Sequence, residues 1–259
     1  MNDKLRFQRH TDGVAVLTIN RPEAHNALDL ETMRALADNI AQMAADPDLR
    51  AVVLTGAGEQ SFCSGGDLVE LSRYPAAEDA LNMITLMGDA LLALERLPVP
   101  VIAAINGYAL GGGSEVALAC DLRIADEKTR MGFVQMRMAL TPGWGAGQRL
   151  LRTVGYARAL DLLLSSHILH APDLLSMGLV NRVVEAGTAL THALNTARHI
   201  ATLPPDVVRA TKALLQAGLT RPYDEALRFE REVFPPLWAD EPHLRAVERF
   251  LNRSKETST

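Results

Sequence analysis

The hydrophobic and polar residues of this chain follow two periods. Short apolar runs rich in β-branched residues predict buried strands, whereas apolar residues spaced three and four apart predict amphipathic helices. The predicted strands lie at 5–8, 13–20, 51–55, 99–105, 122–125 and 180–184. The predicted helices lie at 30–45, 77–96, 146–165 in two pieces, 171–177, 187–203, 205–218, 222–234 and 242–252.

Strands and helices therefore mix in the first part of the chain, and only helices follow. We expect an α/β core over 1–200 and a helical region over 201–259. Within that region, prolines at 204–205, 222 and 235–236 are expected to separate the helices, because proline lacks the N–H that a helix interior needs.

The most informative stretch is VPVIAAINGYALGGGSEVALACD, residues 99–121. A buried strand is followed by Gly111, Gly112 and Gly113 and then at once by a helix-forming segment. We call residues 111–115 the second glycine turn. Glycines at a helix start leave backbone N–H groups open to close approach at the positive end of the helix dipole, which suits a developing oxyanion. Glu115 lies in the first turn of this helix. A plain strand-to-helix turn with a dipole-complementing glutamate is the alternative interpretation.

A similar segment occurs earlier in the chain. Ser61-Phe62-Cys63 leads into Ser64-Gly65-Gly66-Asp67, which we call the first glycine turn, and then into an apolar segment. A loop with a proline and two asparagines, 20–28, precedes both turns.

Composition narrows the function classes. The 259 residues include 48% hydrophobic and 22% charged residues, as in ordinary globular proteins, and the net charge of −5 does not favour nucleic acid or an anionic membrane as partner. Cys63 and Cys120 form neither a disulfide framework nor a metal-site spacing, and no apolar run reaches membrane-spanning length. We expect a cytoplasmic protein without a metal.

The order of these motifs resembles the crotonase superfamily, also called the enoyl-CoA hydratase/isomerase family. The resemblance rests on Asn20-Arg21-Pro22…Asn26-Ala27-Leu28, on both glycine turns and above all on GYALGGGSE. It covers about residues 5–253. It implies a ClpP-like spiral of ββα units with a helical C-terminal region that forms a trimer or a hexamer. It also implies an acyl-CoA substrate and no separate cofactor, since coenzyme A enters as part of the substrate.

The resemblance also implies roles for individual residues. In the family two backbone N–H groups hold the thioester carbonyl, and by motif they belong to Ser64 and Gly112. The coenzyme A path is expected along Ala24, His25, Ser64, Gly65, Gly66 and Asp67. For His25 a plain surface role is an equal alternative. Phe250 and Arg253 match positions that in relatives reach a neighbouring subunit's coenzyme A.

The chain departs from the hydratase pattern at one position. Hydratases of the family use two glutamates to activate a water, and the second matches Gln135, 20 residues after Glu115. An amide can orient a water but cannot accept its proton at neutral pH. Decarboxylation of a malonyl-type thioester forms the same enolate without removal of a C–H proton. Gln135 would also relieve repulsion of the substrate carboxylate.

The segments FVQMRMALTPGWGAGQRL, PPDVVRATKALL and DEALRFEREVFPPLW are similar to ethylmalonyl-CoA and methylmalonyl-CoA decarboxylases, a branch of the superfamily. We therefore expect decarboxylation, with Glu115 delivering the proton to the enolate and Trp144 forming an apolar wall for the departing carboxylate. Two alternatives remain open: an enoyl-CoA hydratase or isomerase with a single glutamate, and a non-catalytic acyl-CoA-binding protein.

Overall fold

The computed structural model describes the backbone of residues 3–256 and the side chains of residues 3–252. The strands are β1 (Leu5–Arg9), β2 (Val14–Ile19), β3 (Ala51–Gly56), β4 (Ser61–Cys63), β5 (Val101–Ile105), β6 (Tyr108–Leu110), β7 (Leu122–Asp126), β8 (Arg130–Gly132), β9 (Ile168–His170) and β10 (Arg182–Val184).

The helices agree closely with the apolar periodicity. They are α1 (Leu30–Ala44), α2 (Leu68–Leu71), α3 (Ala77–Glu95), α4 (Gly112–Leu118), α5 (Ala146–Val154), α6 (Tyr156–Ser165), α7 (Ala171–Ser176), α8 (Ala189–Ala201), α9 (Pro205–Thr220), α10 (Tyr223–Ala239) and α11 (Glu241–Glu256). Short 3₁₀ helices lie at Pro22–Ala24 and Val134–Met138. No helix in the described residues is both long and apolar enough to cross a membrane.

The larger sheet has six strands in the order β1-β2-β3-β5-β7-β10, and all neighbours except β1 and β2 are parallel. Alternate residues of a strand face opposite sides of a sheet. Leu17 and Leu54 therefore pack in the cluster that includes the apolar faces of α1 and α3, whereas Val53 and Ile102 pack with the small residues of α8. Both faces are covered, which explains why β3 is buried at every position.

The smaller sheet positions the site. Its order is β4-β6-β8-β9, with β4, β6 and β8 mutually parallel and β9 antiparallel to β8. Parallel strands end at the same edge of a sheet, so the segments that follow β4, β6 and β8 must lie side by side. The sequence did not predict these three-residue strands as a sheet, because three residues are too few to show a period.

By its internal contacts the chain divides into two units, Met1–Ala201 and Thr202–Thr259. The second contains α9, α10 and α11, with α10 packed on the other two. Its predicted role in oligomerisation stays a prediction. The prediction that Pro235 and Pro236 end a helix at residue 234 was wrong, since α10 continues to Ala239. The carbonyls that lose their N–H partners belong to the exposed Arg231 and Glu232, where water can replace those bonds.

Candidate active site

Three adjacent segments bring the predicted catalytic residues together. The first glycine turn follows β4, the second follows β6, and the 3₁₀ helix with Gln135 follows β8. A methyl group on Gly65 would lie only 3.0 Å from the amide nitrogen of Gly112. The two turns therefore approach within backbone contact, as an oxyanion site built from both of them requires.

The second glycine turn needs its glycines for different reasons. Gly111 caps α4 with a φ of +54°, a conformation that L side chains rarely adopt. A methyl group on Gly113 would lie 2.6 Å from the carbonyl carbon of Cys63. Gly112 is the first residue of α4, so no carbonyl of its own helix can accept its N–H. This N–H is suitably placed to hold an oxyanion.

Glu115 is buried, with 2% of its surface exposed, and its carboxylate is surrounded by N–H donors. Oε2 accepts hydrogen bonds from the backbone N–H of Trp144 at 2.7 Å and of Ala146 at 2.9 Å. Oε1 accepts from the side-chain amide of Gln135 at 2.9 Å and from the N–H of Gly143 at 3.4 Å. The carboxylate thus ties the start of α5 and the side chain of Gln135 to the second glycine turn, and its negative charge is shared among four donors.

Gln135 contacts the predicted proton donor directly. A carboxylate only accepts hydrogen bonds, so the bond to Glu115 fixes Nε2 of Gln135 toward it and leaves Oε1 on the other side of the amide. That Oε1 is buried and has no hydrogen-bond partner among the described residues. It is therefore able to accept a hydrogen bond from a water or a substrate donor.

Ser64 lies where the motif predicts, but its backbone N–H already makes a hydrogen bond. It donates to the backbone carbonyl of His25 at 3.2 Å, a long bond. His25 itself has a φ of +52° and an exposed side chain whose Nδ1 lies 3.3 Å from Ser61 Oγ. A thioester oxygen that uses both predicted donors would have to replace or share the His25 carbonyl at Ser64.

The predicted coenzyme A segments are joined by backbone pairing. Leu28 donates its N–H to the carbonyl of Gly65 at 2.8 Å, and Asp67 donates its N–H to the carbonyl of Leu28 at 2.9 Å. The loop with Ala24 and His25 is therefore attached to the first glycine turn. A cleft of about 390 Å³ borders this loop, and its lining consists of Pro22, Asn26, Ala57, Gly58, Glu59, Gln60 and Ser61.

An ion-pair network that the motifs did not predict supports the first glycine turn. Arg21 contacts Asp67 at 2.8 Å and Asp29 at 3.4 Å, and Lys4 pairs with Asp29 at 2.8 Å. The hydrogen bond from Arg21 lowers the pKa of Asp67. Burial of Asp29 acts to raise its pKa, but hydrogen bonds from Lys4 and Thr32 and the charge of Arg21 outweigh burial and lower that pKa to about 2. Only the presence of Arg21 in the Asn-Arg-Pro motif signalled this network in the sequence.

The side chain of Asp67 is engaged in contacts that stabilise the fold. Besides the Arg21 contact, its Oδ1 caps α2 by accepting the N–H groups of Val69 at 3.1 Å and Glu70 at 3.3 Å.

Trp144 is 4% exposed and its indole packs near Gly112 and Gly66, so the structure brings this predicted acyl-pocket residue to both turns. Phe250 is exposed on α11, and the side chain of Arg253 lies outside the described residues.

The described residues contain no group of three or more His, Cys, Asp or Glu side chains arranged to hold a metal ion. Cys63 is fully buried behind the first glycine turn, and burial raises the pKa of its thiol to about 12. A thiol in this state is not a nucleophile at neutral pH.

Comparison with known proteins identifies the family. The sequence model described as enoyl-CoA hydratase/isomerase matches residues 9–257. The chain belongs to the enoyl-CoA hydratase/isomerase family. It is thus a crotonase-superfamily enzyme, and the predicted fold class is confirmed.

Relatives within the family include proteins named for different reactions. The chain is 38% identical to a short-chain-enoyl-CoA hydratase of Clostridium acetobutylicum, over 93% of this chain and 92% of that protein. It is 35% identical to an ethylmalonyl-CoA decarboxylase of Xenopus laevis, over 93% of this chain and 81% of that protein. The crystal structure of an enoyl-CoA hydratase from Bacillus anthracis superimposes with a TM-score of 0.91 at 32% identity, covering 96% of each chain.

Proposed function

We propose that this family member acts on acyl-CoA thioesters and decarboxylates short alkylmalonyl-CoA substrates such as ethylmalonyl-CoA and methylmalonyl-CoA. The observation that carries the proposal is the state of Glu115. Both of its oxygens are occupied by N–H donors, and the side chain at the second position, Gln135, is an amide. Hydration and isomerisation require a group that removes a proton, whereas decarboxylation does not.

In the proposed reaction the thioester carbonyl accepts hydrogen bonds from the N–H groups of Gly112 and Ser64. The bond between Cα and the carboxylate breaks, carbon dioxide leaves, and the bonding electron pair forms the enolate. Each preorganised donor is worth about 3–4 kcal/mol of transition-state stabilisation in comparable oxyanion sites. A proton then adds to Cα.

The arrangement around Glu115 also lowers the electrostatic repulsion that a negatively charged substrate meets on binding. A bare glutamate next to a malonyl carboxylate would repel it strongly in a site that excludes water. Here four N–H groups share the charge of Glu115, and the neighbouring Gln135 is neutral. Glu115 can deliver the proton only after one of these four bonds opens and the carboxylate takes up a proton from solvent; direct protonation by solvent water is the other route.

A second candidate function is enoyl-CoA hydration. The buried Oε1 of Gln135 has no partner among residues 3–252 and can orient a water, and one relative is named as a short-chain-enoyl-CoA hydratase. Without an available base we expect this reaction to be slow. A protein that only binds acyl-CoA is the third outcome to distinguish.

The test is a parallel assay of the purified protein on ethylmalonyl-CoA, methylmalonyl-CoA and crotonyl-CoA, with the thioester products identified by mass. We expect loss of carbon dioxide from the first two and little hydration of the third. Faster hydration of crotonyl-CoA than decarboxylation would overturn the proposal. Binding without turnover of any of the three would favour an acyl-CoA-binding protein.

The Gln135→Glu variant sharpens the assay. Two carboxyl groups at the 2.9 Å separation of the present pair would share one proton, which supplies a second group for proton transfer and spreads the single negative charge onto the side chain at position 135. We expect decarboxylation to fall at least about 10-fold and hydration to rise, since proton transfer by a positioned group contributes about 100-fold or more. Equal losses in both reactions would mean that Gln135 only supports the structure.

The proposal includes assembly as a homotrimer or hexamer. The second unit exposes large apolar side chains that a monomer would leave in water, namely Leu215, Leu219, Tyr223, Phe234, Trp238 and Phe250. Light scattering during gel filtration should give about three or six times the chain mass of 28.1 kDa. A particle of one chain mass would contradict this part of the proposal.

A further inference from the structure

The indole of Trp144 lies against the backbone of both glycine turns. A methyl group on Gly112 would lie 2.7 Å from Cη2 and 2.8 Å from Cε3 of the ring, and one on Gly66 would lie 3.8 Å from Cζ2. The ring thus lies beside Gly112, whose N–H has no acceptor within its own helix. An acyl group whose carbonyl is held by the Gly112 N–H is therefore expected to lie close to this ring.

Polar contacts on several sides hold Trp144 in this position. Its backbone N–H donates to Glu115 at 2.7 Å, and its carbonyl accepts from Arg149 at 2.8 Å. Arg149 is itself paired with Glu95 at 2.9 Å. The indole Nε1–H donates to the sulfur of Met83 at 3.2 Å. A ring that is held at its backbone and at its tip, and is 4% exposed, acts as a fixed wall.

We propose that Trp144 sets the upper size of the acyl group. The fixed indole limits the room beside the oxyanion donors, so that short acyl substituents fit and longer chains are excluded. The substrate class is therefore short, branched or linear acyl-CoA thioesters. This inference rests on the acyl-CoA site of the proposed function, and it is independent of whether that site decarboxylates or hydrates.

The test compares the binding of butyryl-CoA, hexanoyl-CoA and octanoyl-CoA by calorimetry to the wild-type protein, Trp144→Phe and Trp144→Leu. These saturated thioesters lack the carboxylate and the double bond on which the two candidate reactions depend. We expect the wild type to bind butyryl-CoA at least about 10-fold more tightly than octanoyl-CoA, because a pocket of fixed size discriminates by about that factor or more. In Trp144→Leu this ratio should fall at least about 10-fold, with the phenylalanine variant between the two.

The chain offers a matched control, since it contains two tryptophans. Trp238 lies in the second unit and is 58% exposed. Trp238→Phe should keep the wild-type chain-length ratio. It also leaves Trp144 as the only indole, so its fluorescence should change when butyryl-CoA binds.

Equal affinity of the wild type for the three thioesters, or an unchanged ratio in a Trp144→Leu protein with native circular dichroism, would overturn the inference. If Trp144→Leu does not fold, the fluorescence of Trp238→Phe decides: no change at saturating butyryl-CoA would place the acyl group away from Trp144. Failure of decarboxylation with an altered chain-length ratio would reject the proposed reaction and retain this inference. Decarboxylation by the wild type, together with an unaltered chain-length ratio in Trp144→Leu, would retain the proposed reaction and reject this inference.

Discussion

The first and second glycine turns begin alike and are held in place differently. Each follows a three-residue strand of the smaller sheet, and these two strands are parallel; each turn leads directly into a helix. The first turn is anchored by charge, through Asp67, Arg21, Asp29 and Lys4. The second is anchored by close packing, with Gly113 against Cys63, Gly112 against Trp144 and Glu115 satisfied by backbone N–H groups.

This difference separates two ways of building one oxyanion site. The second glycine turn, which is packed, offers a donor at the start of a buried helix, and its close contacts leave no space for larger side chains. The charged turn carries a donor that is shared with the His25 carbonyl, in a loop that ion pairs hold from outside. We therefore expect volume changes to break the second turn and changes of charge or pH to act on the first.

The largest effect is expected from Gly113→Ala. The new methyl group would lie 2.6 Å from a backbone carbonyl carbon, which cannot move aside as a side-chain end can. We expect a loss of at least about 4 kcal/mol in the free energy of unfolding, measured with urea, or failure to fold. The control is Gly147→Ala in α5, where a methyl group meets nothing within 4 Å. That variant should be unchanged or more stable by about 0.5–1 kcal/mol. Equal effects of the two would contradict the packing argument.

Glu115 is tested by two variants that separate its roles. Glu115→Ala leaves the buried N–H groups of Trp144 and Ala146 without an acceptor, at about 1–3 kcal/mol each, so the free energy of unfolding should fall by about 3 kcal/mol. Glu115→Gln retains an oxygen for these donors, and its new amide can face Gln135 if that side chain turns over, so we expect a loss below about 1 kcal/mol.

Activity then distinguishes the two roles of Glu115. If it delivers the proton, Glu115→Gln should lower kcat for ethylmalonyl-CoA by about 100-fold while the protein stays folded. Full activity in this variant would remove the proton-donor role and leave Glu115 as the residue that positions Gln135 and Trp144.

The anchoring of the first turn by charge predicts a dependence on pH. The pKa of Asp29 is about 2 in the folded protein and close to 4 when unfolded, so its stabilising effect is present above pH 4 and is lost as the pH falls toward 2. Asp29→Asn keeps an oxygen for the Thr32 cap and loses the ion pairs. We expect it to be about 1 kcal/mol less stable at pH 7 and to lose less stability than the wild type between pH 4 and pH 3. Parallel acid curves for the two proteins would contradict the ion-pair role.

The smallest effect is expected from Ser64→Ala. The proposed role of Ser64 needs its backbone N–H alone, and the substitution leaves that group in place. The kcat/KM for ethylmalonyl-CoA should change by less than about 3-fold, against the 100-fold or more that loss of an oxyanion donor costs. A loss above about 10-fold would assign a function to the hydroxyl group.

The sequence predicted the regular elements well, because long elements repeat their pattern. The break at Gly155 between α5 and α6 and the run of helices after residue 186 were predicted within a few residues. The motifs also located Gly112, Glu115 and Gln135. The partners of Glu115 could not be predicted, since the donors at 143–146 lie about 30 residues away and are backbone groups that any residue type supplies. The bond between Ser64 and His25 was missed for the same reason.

The two cysteines provide one thiol next to each glycine turn, and the reactivity of that thiol can report on local opening. Cys63 ends the strand before the first turn, and Cys120 follows the helix of the second; both are buried thiols outside any disulfide. An alkylating reagent reacts with such a thiol only while the surrounding structure is open, so each modification rate reports how readily the structure around one turn opens. Mass spectrometry of the two peptides would then compare how readily the charge-anchored and the packed half of one site open.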